Sequence, residues 1–297
     1  MSLSPNLRGA ALMTAAMAGF VVSDAAMKGL GAHWPLFQSI FVRGCGTTLV
    51  LGGLALALGQ VRAVGRRDAG LILLRTVFEM AAGWCYLTAL NRMPLANVSA
   101  IQQAVPLAVT LGAMAVLGER VDRARLLAIL AGLGGVLLIL QPGGGGFTWA
   151  SLLVLGSVAA TSARDLTSRV IRPEVPSVLI AAAASAGMAL MGGVGAAFVD
   201  WQPLTPASGL LLAATVSFVV LGYVASVSAM RVGEIAAVTP FRYTALVMAI
   251  GLGAVAFGDV PGPLTVAGAG VVVGTGLYTL LRDRRRARPE EEASPGL

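Results

Sequence analysis

Long apolar runs separated by short polar breaks make up the whole chain, and the breaks hold most of its charge. Dividing the sequence at charge clusters, prolines and glycine tracts leaves ten runs: 9–28, 35–58, 69–90, 95–117, 123–140, 148–170, 177–199, 207–230, 234–257 and 263–281. Each is close to the roughly 20 residues that a helix needs to cross a hydrocarbon core of about 30 Å. The spacers, such as 32–35, 62–68 and 141–146, are short. The pattern therefore predicts an all-α integral membrane protein of ten transmembrane helices without a separate soluble domain. The first run carries Asp24 and lacks a small-residue cleavage site before a hydrophilic stretch, so it is read as a retained span rather than a signal peptide.

Composition agrees with that reading. The 297 residues are 57% hydrophobic and 12% charged, whereas soluble domains carry about a quarter charged residues. Soluble enzymes and soluble DNA-binding proteins are excluded on this ground. The net charge of +7 comes from basic residues at the ends of runs rather than on one aromatic-bearing face, so nucleic acid is not an expected partner. One side of the spans receives Arg8, Arg62, Arg66, Arg67, Arg120, Arg123, Arg125, Arg169, Arg172, Arg231, Arg282, Arg284, Arg285, Arg286 and Arg288, while the other receives Lys28 and Arg92. The positive-inside rule then places both termini in the cytoplasm and the chain in the cell (inner) membrane. Residues 283–297, arginine-rich and then acidic, are expected to form a disordered cytoplasmic tail that binds anionic lipid.

The chain also repeats itself. Residues 86–101 align without gaps on 223–238, Ala115–Glu119 on Val255–Asp259, and Ala131–Val136 on Ala267–Val272. Two repeats follow, 1–142 and 143–282, of five spans each. Five is odd, so the second copy enters the membrane from the opposite side. Such inverted-topology repeats are the architecture of many secondary transporters.

Several motifs resemble the drug/metabolite transporter superfamily of the EamA type. They are Arg43 in the second run, Ala89-Leu90 with Met93 to Ala96, Pro106, Leu117-Gly118-Glu119-Arg120, Gly134-Gly135-Val136, Thr239-Pro240, Phe257-Gly258-Asp259 and Gly274 to Tyr278. Asp259 stands where the family usually has Glu. The resemblance spans nearly the whole chain and implies a bacterial exporter of amino acids, aromatic ones included, and related metabolites. It speaks for the scaffold more than for the substrate.

Charged residues inside a bilayer cost about 2.5–3.5 kcal/mol each on insertion scales, which makes them functional candidates. Glu79 falls near the midplane, Arg75 one turn before it, and Arg43 and Arg242 within their own runs. Three arginines against one glutamate leave positive charge that a substrate carboxylate would neutralise. The alternative is structural: an i,i+4 Arg75–Glu79 pair pinning helices, with Arg43 and Arg242 bonded to carbonyls of broken helices. Tyr86 shares the face of Arg75 and Glu79. Tyr86, Tyr223, Tyr243 and Trp84 could supply an aromatic wall or could simply pack. Asp24 with Lys28, and Arg164 with Asp165 in the equivalent sixth run, are candidate gating or coupling charges, or else residues that snorkel to the interface. Pro106 and Pro240 remove a backbone donor and free a carbonyl near Gln102, Gln103 and Arg242, which either curves the wall or lines the binding cavity.

No catalytic residues, cofactor or metal are expected. His33 is the single histidine, Cys45 and Cys85 lie in apolar runs, and no H-E-x-x-H or phosphate-binding loop occurs. The reading is a non-enzymatic secondary transporter exporting neutral or aromatic amino acids by alternating access. Alternatives are transport or exchange of another metabolite (a nucleoside, a polyamine or other cation, a drug) and, remotely, an intramembrane lipid-modifying enzyme. The expected partners are the small-molecule substrate and membrane lipids; the oligomeric state is open, a monomer being compatible.

Overall fold

The computed structural model describes residues 4–118, 122–142, 148–232 and 235–292, and all regular structure among them is helical. The elements are α1 Pro5–Leu30, α2 Leu36–Ala57, α3 Arg66–Leu90, α4 Leu95–Gln102, α5 Val105–Leu117, α6 Arg123–Leu140, α7 Trp149–Val170, α8 Ser177–Ala196, α9 Pro206–Val232, α10 Ile235–Val238, a 3-10 turn Thr239–Tyr243, α11 Thr244–Phe257 and α12 Pro263–Glu292. Eight stretches are long and apolar enough to cross a membrane, with α4–α5 joined as one span and the turn with α11 as another. The shorter Leu126–Leu140 and the charged α7 complete ten.

Local chemistry explains the boundaries. Pro35, Pro94 and Pro176 directly precede α2, α4 and α8, where a fixed φ suits a helix start and a missing N–H costs nothing. Ser4 caps α1, and Thr148 with Ser151 forms a capping box on α7. Gly118 and Gly258 end α5 and α11 at the same left-handed φ of 69°, a conformation that glycine adopts without a Cβ penalty. Two spans are interrupted: α4 stops at Gln102 two turns after its start, and the ninth span begins with α10 and the 3-10 turn. Pro106 is the second residue of α5 and Pro240 the second of the 3-10 turn, and neither supplies an N–H to the preceding turn. α12 continues to Glu292, so residues 283–292 are helical where disorder was expected; Arg, Ala and Glu dominate there and are strong helix formers. The Glu119-Arg120 end of one motif, the glycine tract 143–146 and the 142/143 repeat boundary lie wholly or partly outside the described residues.

The halves interleave. α1 packs on α9, α2 on α8, α3 on α7 and α6 on α12, each pair joining the first half to the second. Exchanging the halves turns the α1–α9 pair into α7–α3 and leaves α2–α8 and α6–α12 unchanged. That is the pairing of two five-helix inverted repeats. The spans form a closed ring in the order α2, α8, α3, α7, α4/α5, α6, α12, the turn with α11, α1, α9 and back to α2. α4 also packs against α11 and α12, and nearly all of it is buried.

Glycine sets the closeness of two of these pairs. A Cβ on Gly44 would lie 2.7 Å from the Ala189 nitrogen, and one on Gly192 2.5 Å from the Phe41 nitrogen, across α2–α8. Gly135 and Gly268 do the same for α6–α12, each facing the other's carbonyl oxygen. In lipid, such close approach provides the packing that the hydrophobic effect does not supply between helices. Outward faces carry Leu49, Leu56, Leu73, Val116, Leu127, Leu210, Val247 and Val255, all exposed in the isolated chain, as lipid-facing side chains are.

Candidate functional site

Asp24, Arg43, Arg75, Glu79, Arg164 and Asp165 gather on inward faces in two layers. On α3, Arg75, Glu79 and Tyr86 share one stripe, while Leu73, Val77 and Trp84 occupy the opposite one. Trp84, 39% exposed, therefore stands on the lipid side, away from the other candidates.

The first layer joins α1, α2, α3 and α9. The Tyr86 hydroxyl donates to Asp24 Oδ2 at 2.7 Å. Arg43 Nη2 donates to Ser23 Oγ at 3.3 Å, and Ser23 Oγ donates to the Thr215 carbonyl at 3.0 Å. Arg43 Nε is buried without a hydrogen-bond partner. Arg43 lies in electrostatic range of Asp24, Tyr86 and Glu79, yet forms no ion pair among the described residues.

The second layer joins α3 to α7. Both Glu79 oxygens accept from Arg164 Nη1, at 3.1 and 3.2 Å. Arg75 Nη1 lies 3.4 Å from Glu79 Oε2, and Arg164 Nη2 2.8 Å from Asp165 Oδ1. Arg75 Nε donates to Ser168 Oγ at 3.0 Å. The i,i+4 pair is thus part of a larger hub. Arg164 turns into the bundle instead of snorkelling outward.

At the interruptions, Gln102 Nε2 donates to Ser157 Oγ at 2.9 Å while its Oε1 is buried without a partner. Gln103 caps α4 and is half-buried. In the 3-10 turn Arg242 is exposed and has no hydrogen bond or ion pair among the described residues. Tyr243 beside it is buried against α12 at Gly276, its hydroxyl without a partner. Tyr223 donates to the Ser177 carbonyl at 2.7 Å, at the start of α8.

Lys28 pairs with Asp259 at 3.4 Å rather than with Asp24. It also donates to the Leu90 and Met93 carbonyls and lies 5.3 Å from the Phe257 ring centre. Lys28 thereby fastens α1 to the α3–α4 connection and to the end of α11. On the same face, buried Gln38 exchanges two hydrogen bonds with the Gln202 backbone, at 2.8 and 2.9 Å, and Trp34 Nε1 donates to the Pro203 carbonyl. The opposite face holds Arg172–Asp68 at 2.6 Å and Arg282–Asp122 at 2.7 Å. Sequence reasoning did not reach Ser23, Thr215, Ser157 and Ser168, since hydroxyls in apolar runs carry no signal of their own. Asp259 stood in the repeat alignment without a partner to give it a role.

Residues 7–141 match the EamA-like transporter family. The pseudopaline exporter CntI of Pseudomonas aeruginosa is 29% identical over 290 residues, 93% of this chain and 97% of that protein. A riboflavin transporter of Rhizobium johnstonii is 29% identical over 223 residues, 73% of this chain and 72% of that protein. One solved crystal structure shares the fold at a TM-score of 0.64 and 20% identity, covering 93% of this chain and 98% of its own. The likeness is thus to membrane transporters, and eight of the described helical stretches are long and apolar enough to cross a membrane. The relatives are named for riboflavin and pseudopaline, not for amino acids.

Proposed function

We propose that the whole chain is an EamA-type secondary transporter of the cell (inner) membrane, with both termini cytoplasmic. It exports a small carboxylate-bearing metabolite by alternating access. The interior it uses is lined by Asp24, Arg43, Glu79, Tyr86, Gln102, Gln103, Arg164 and Arg242.

One observation carries the substrate class: Arg43 and Arg242 stand inside the spans without a carboxylate partner among the described residues, whereas Arg75 and Arg164 are tied to Glu79 and Asp165. Each of the two stands roughly 10 Å into its span by helix rise, Arg43 from one face and Arg242 from the other. A guanidinium fork binds a carboxylate through two parallel hydrogen bonds, so the pair offers an anion site near each face. A neutral amino acid is the simplest metabolite that fits. Its carboxylate meets Arg43, its ammonium meets Asp24 or the unpartnered Gln102 oxygen, and an apolar side chain lies against Tyr86. The full-length likeness to a pseudopaline exporter supports a second reading, export of another metabolite handled by the same arginines.

The test is flux into liposomes holding the purified protein, with labelled amino acids, nucleosides and polyamines as the panel. Saturable movement of amino acids is the expected result. Movement of nucleosides or polyamines alone, from folded protein, would remove the carboxylate assignment and leave the transporter.

A further inference from the structure

The carboxylates inside the spans are held in different ways. Glu79 faces two guanidinium groups, Arg164 at 3.1 Å and Arg75 at 3.4 Å, and Asp165 lies 2.8 Å from Arg164. A proton arriving at either must displace an ion pair. Asp24 has no ion pair among the described residues; its hydrogen bond comes from the neutral Tyr86 hydroxyl. A proton arriving there requires only that the phenol turn.

The surroundings of Asp24 contain few competing charges. From α2 it meets Arg43, in electrostatic range but beyond ion-pair distance. From α3 it meets Tyr86, with Glu79 two turns further along and held by its arginines. Lys28 on α1 is engaged with Asp259 beyond the end of α11. α9 brings Thr215 and, lower down, Tyr223, whose hydroxyl donates to Ser177. The 3-10 turn brings Arg242 and Tyr243, and α10 and α11 carry no titratable residue. Asp24 is half-buried.

The repeat sharpens the contrast. Tyr223 in α9 aligns with Tyr86 in α3, and α7 carries Asp165 in its last turns as α1 carries Asp24. In the second half the aspartate is paired with Arg164 and the tyrosine donates to a backbone carbonyl. Among the described residues of α1 and α7, Asp165 has a cation and Asp24 has none, and Arg43, itself without a carboxylate, lies in electrostatic range of Asp24. Asp24 and Arg43 are thus one negative and one positive group, close together and not neutralising each other by contact. That arrangement fits the two ends of a zwitterion.

We propose that Asp24 is the proton-binding group of the transport cycle and that a proton and the substrate's ammonium compete for it. The substrate binds with its carboxylate on Arg43 and its ammonium on ionised Asp24. After release, a proton adds to an Asp24 oxygen, one O–H bond forms, and Tyr86 turns from donor to acceptor. Since one group cannot hold both cations, proton entry and substrate exit alternate, giving an exchanger in which Glu79 is a fixed ion-pair hub. This rests on the amino acid reading proposed above.

The experiment has two readouts. In liposomes loaded with labelled neutral amino acid, external acid should accelerate efflux through the wild-type protein. D24N, which keeps an acceptor for Tyr86, should lose that acceleration, and D24E should restore it. Separately, the substrate-free protein is treated with dicyclohexylcarbodiimide, which reacts with protonated carboxyls in apolar surroundings, and the adducts are mapped by mass spectrometry. Asp24 should be modified, more at lower pH and less with saturating amino acid, while Glu79 should not. Acceleration surviving in D24N, or adducts on Glu79 instead of Asp24, would overturn the proposal. Protected Asp24 adducts without any amino acid flux would instead strike at the transport reading. Unprotected adducts would overturn the competition.

Discussion

At the scale of single residues, inward charges divide into those already satisfied and those awaiting a ligand, and substitution should separate the two. Glu79→Gln leaves Arg75 and Arg164 facing a neutral amide. Breaking a buried pair costs about 3–5 kcal/mol, and with a quarter of the Glu79 side chain exposed the loss should be about 2 kcal/mol, read as a lower unfolding temperature in detergent. Arg43→Gln sacrifices one 3.3 Å hydrogen bond to Ser23 and should unfold near the wild-type temperature while losing transport. Equal stability losses in both variants would contradict this division. The Arg75–Glu79 pair and the Tyr86 stripe were legible because helical spacing puts them on one face. The same spacing puts Trp84 with Val77, seven residues earlier, and so on the lipid side, whatever its aromatic character suggests. Arg164 at Glu79 and Lys28 at Asp259 join residues 85 and 231 positions apart, across a helix packing that no local pattern records.

At the scale of elements, the two interrupted spans are where the bundle departs from plain helices. Gly276 on α12 leaves room for Tyr243 in the 3-10 turn, since a Cβ there would collide with the phenol oxygen. Gly276→Ala should therefore lower stability. Adding Tyr243→Phe should restore part of it, because the colliding oxygen is gone and the buried hydroxyl had no partner to lose, while the ring carbon that carried it still lies 2.6 Å from the new Cβ. If the double variant unfolds no later than the single one, the contact is not what limits the site. Gly118→Ala and Gly258→Ala force a Cβ into left-handed backbone at φ 69° and should each cost about 1 kcal/mol. The spans were legible because a bilayer demands a minimum apolar length, and the interruptions because proline withholds a donor. What proline could not tell is how each side resolves the break. α4 stops and restarts within three residues, whereas the ninth span inserts a whole 3-10 turn that exposes Arg242 and buries Tyr243.

At the scale of the molecule, an inverted repeat makes the two faces near-equivalents, and each face is fastened across the halves by polar links. Gln38–Gln202, Trp34–Pro203 and Lys28–Asp259 close one; Asp68–Arg172 and Arg282–Asp122 span the other. If alternating access opens the first face, Q38C and Q202C joined by a short bis-methanethiosulfonate, in a chain with Cys45 and Cys85 replaced by Ala, should stop flux, and reduction should restore it. Undiminished flux through the crosslinked protein would mean that this face does not open there. The central claim, that the arginines without partners select a carboxylate, is tested most directly by one comparison in proteoliposomes. A labelled neutral amino acid and the amine formed by its decarboxylation are offered to the wild type, R43Q and R242Q. The account predicts saturable movement of the acid, none of the amine, and slowed acid movement in both folded variants. Equal movement of acid and amine, or unchanged acid movement in R43Q and R242Q, would contradict it.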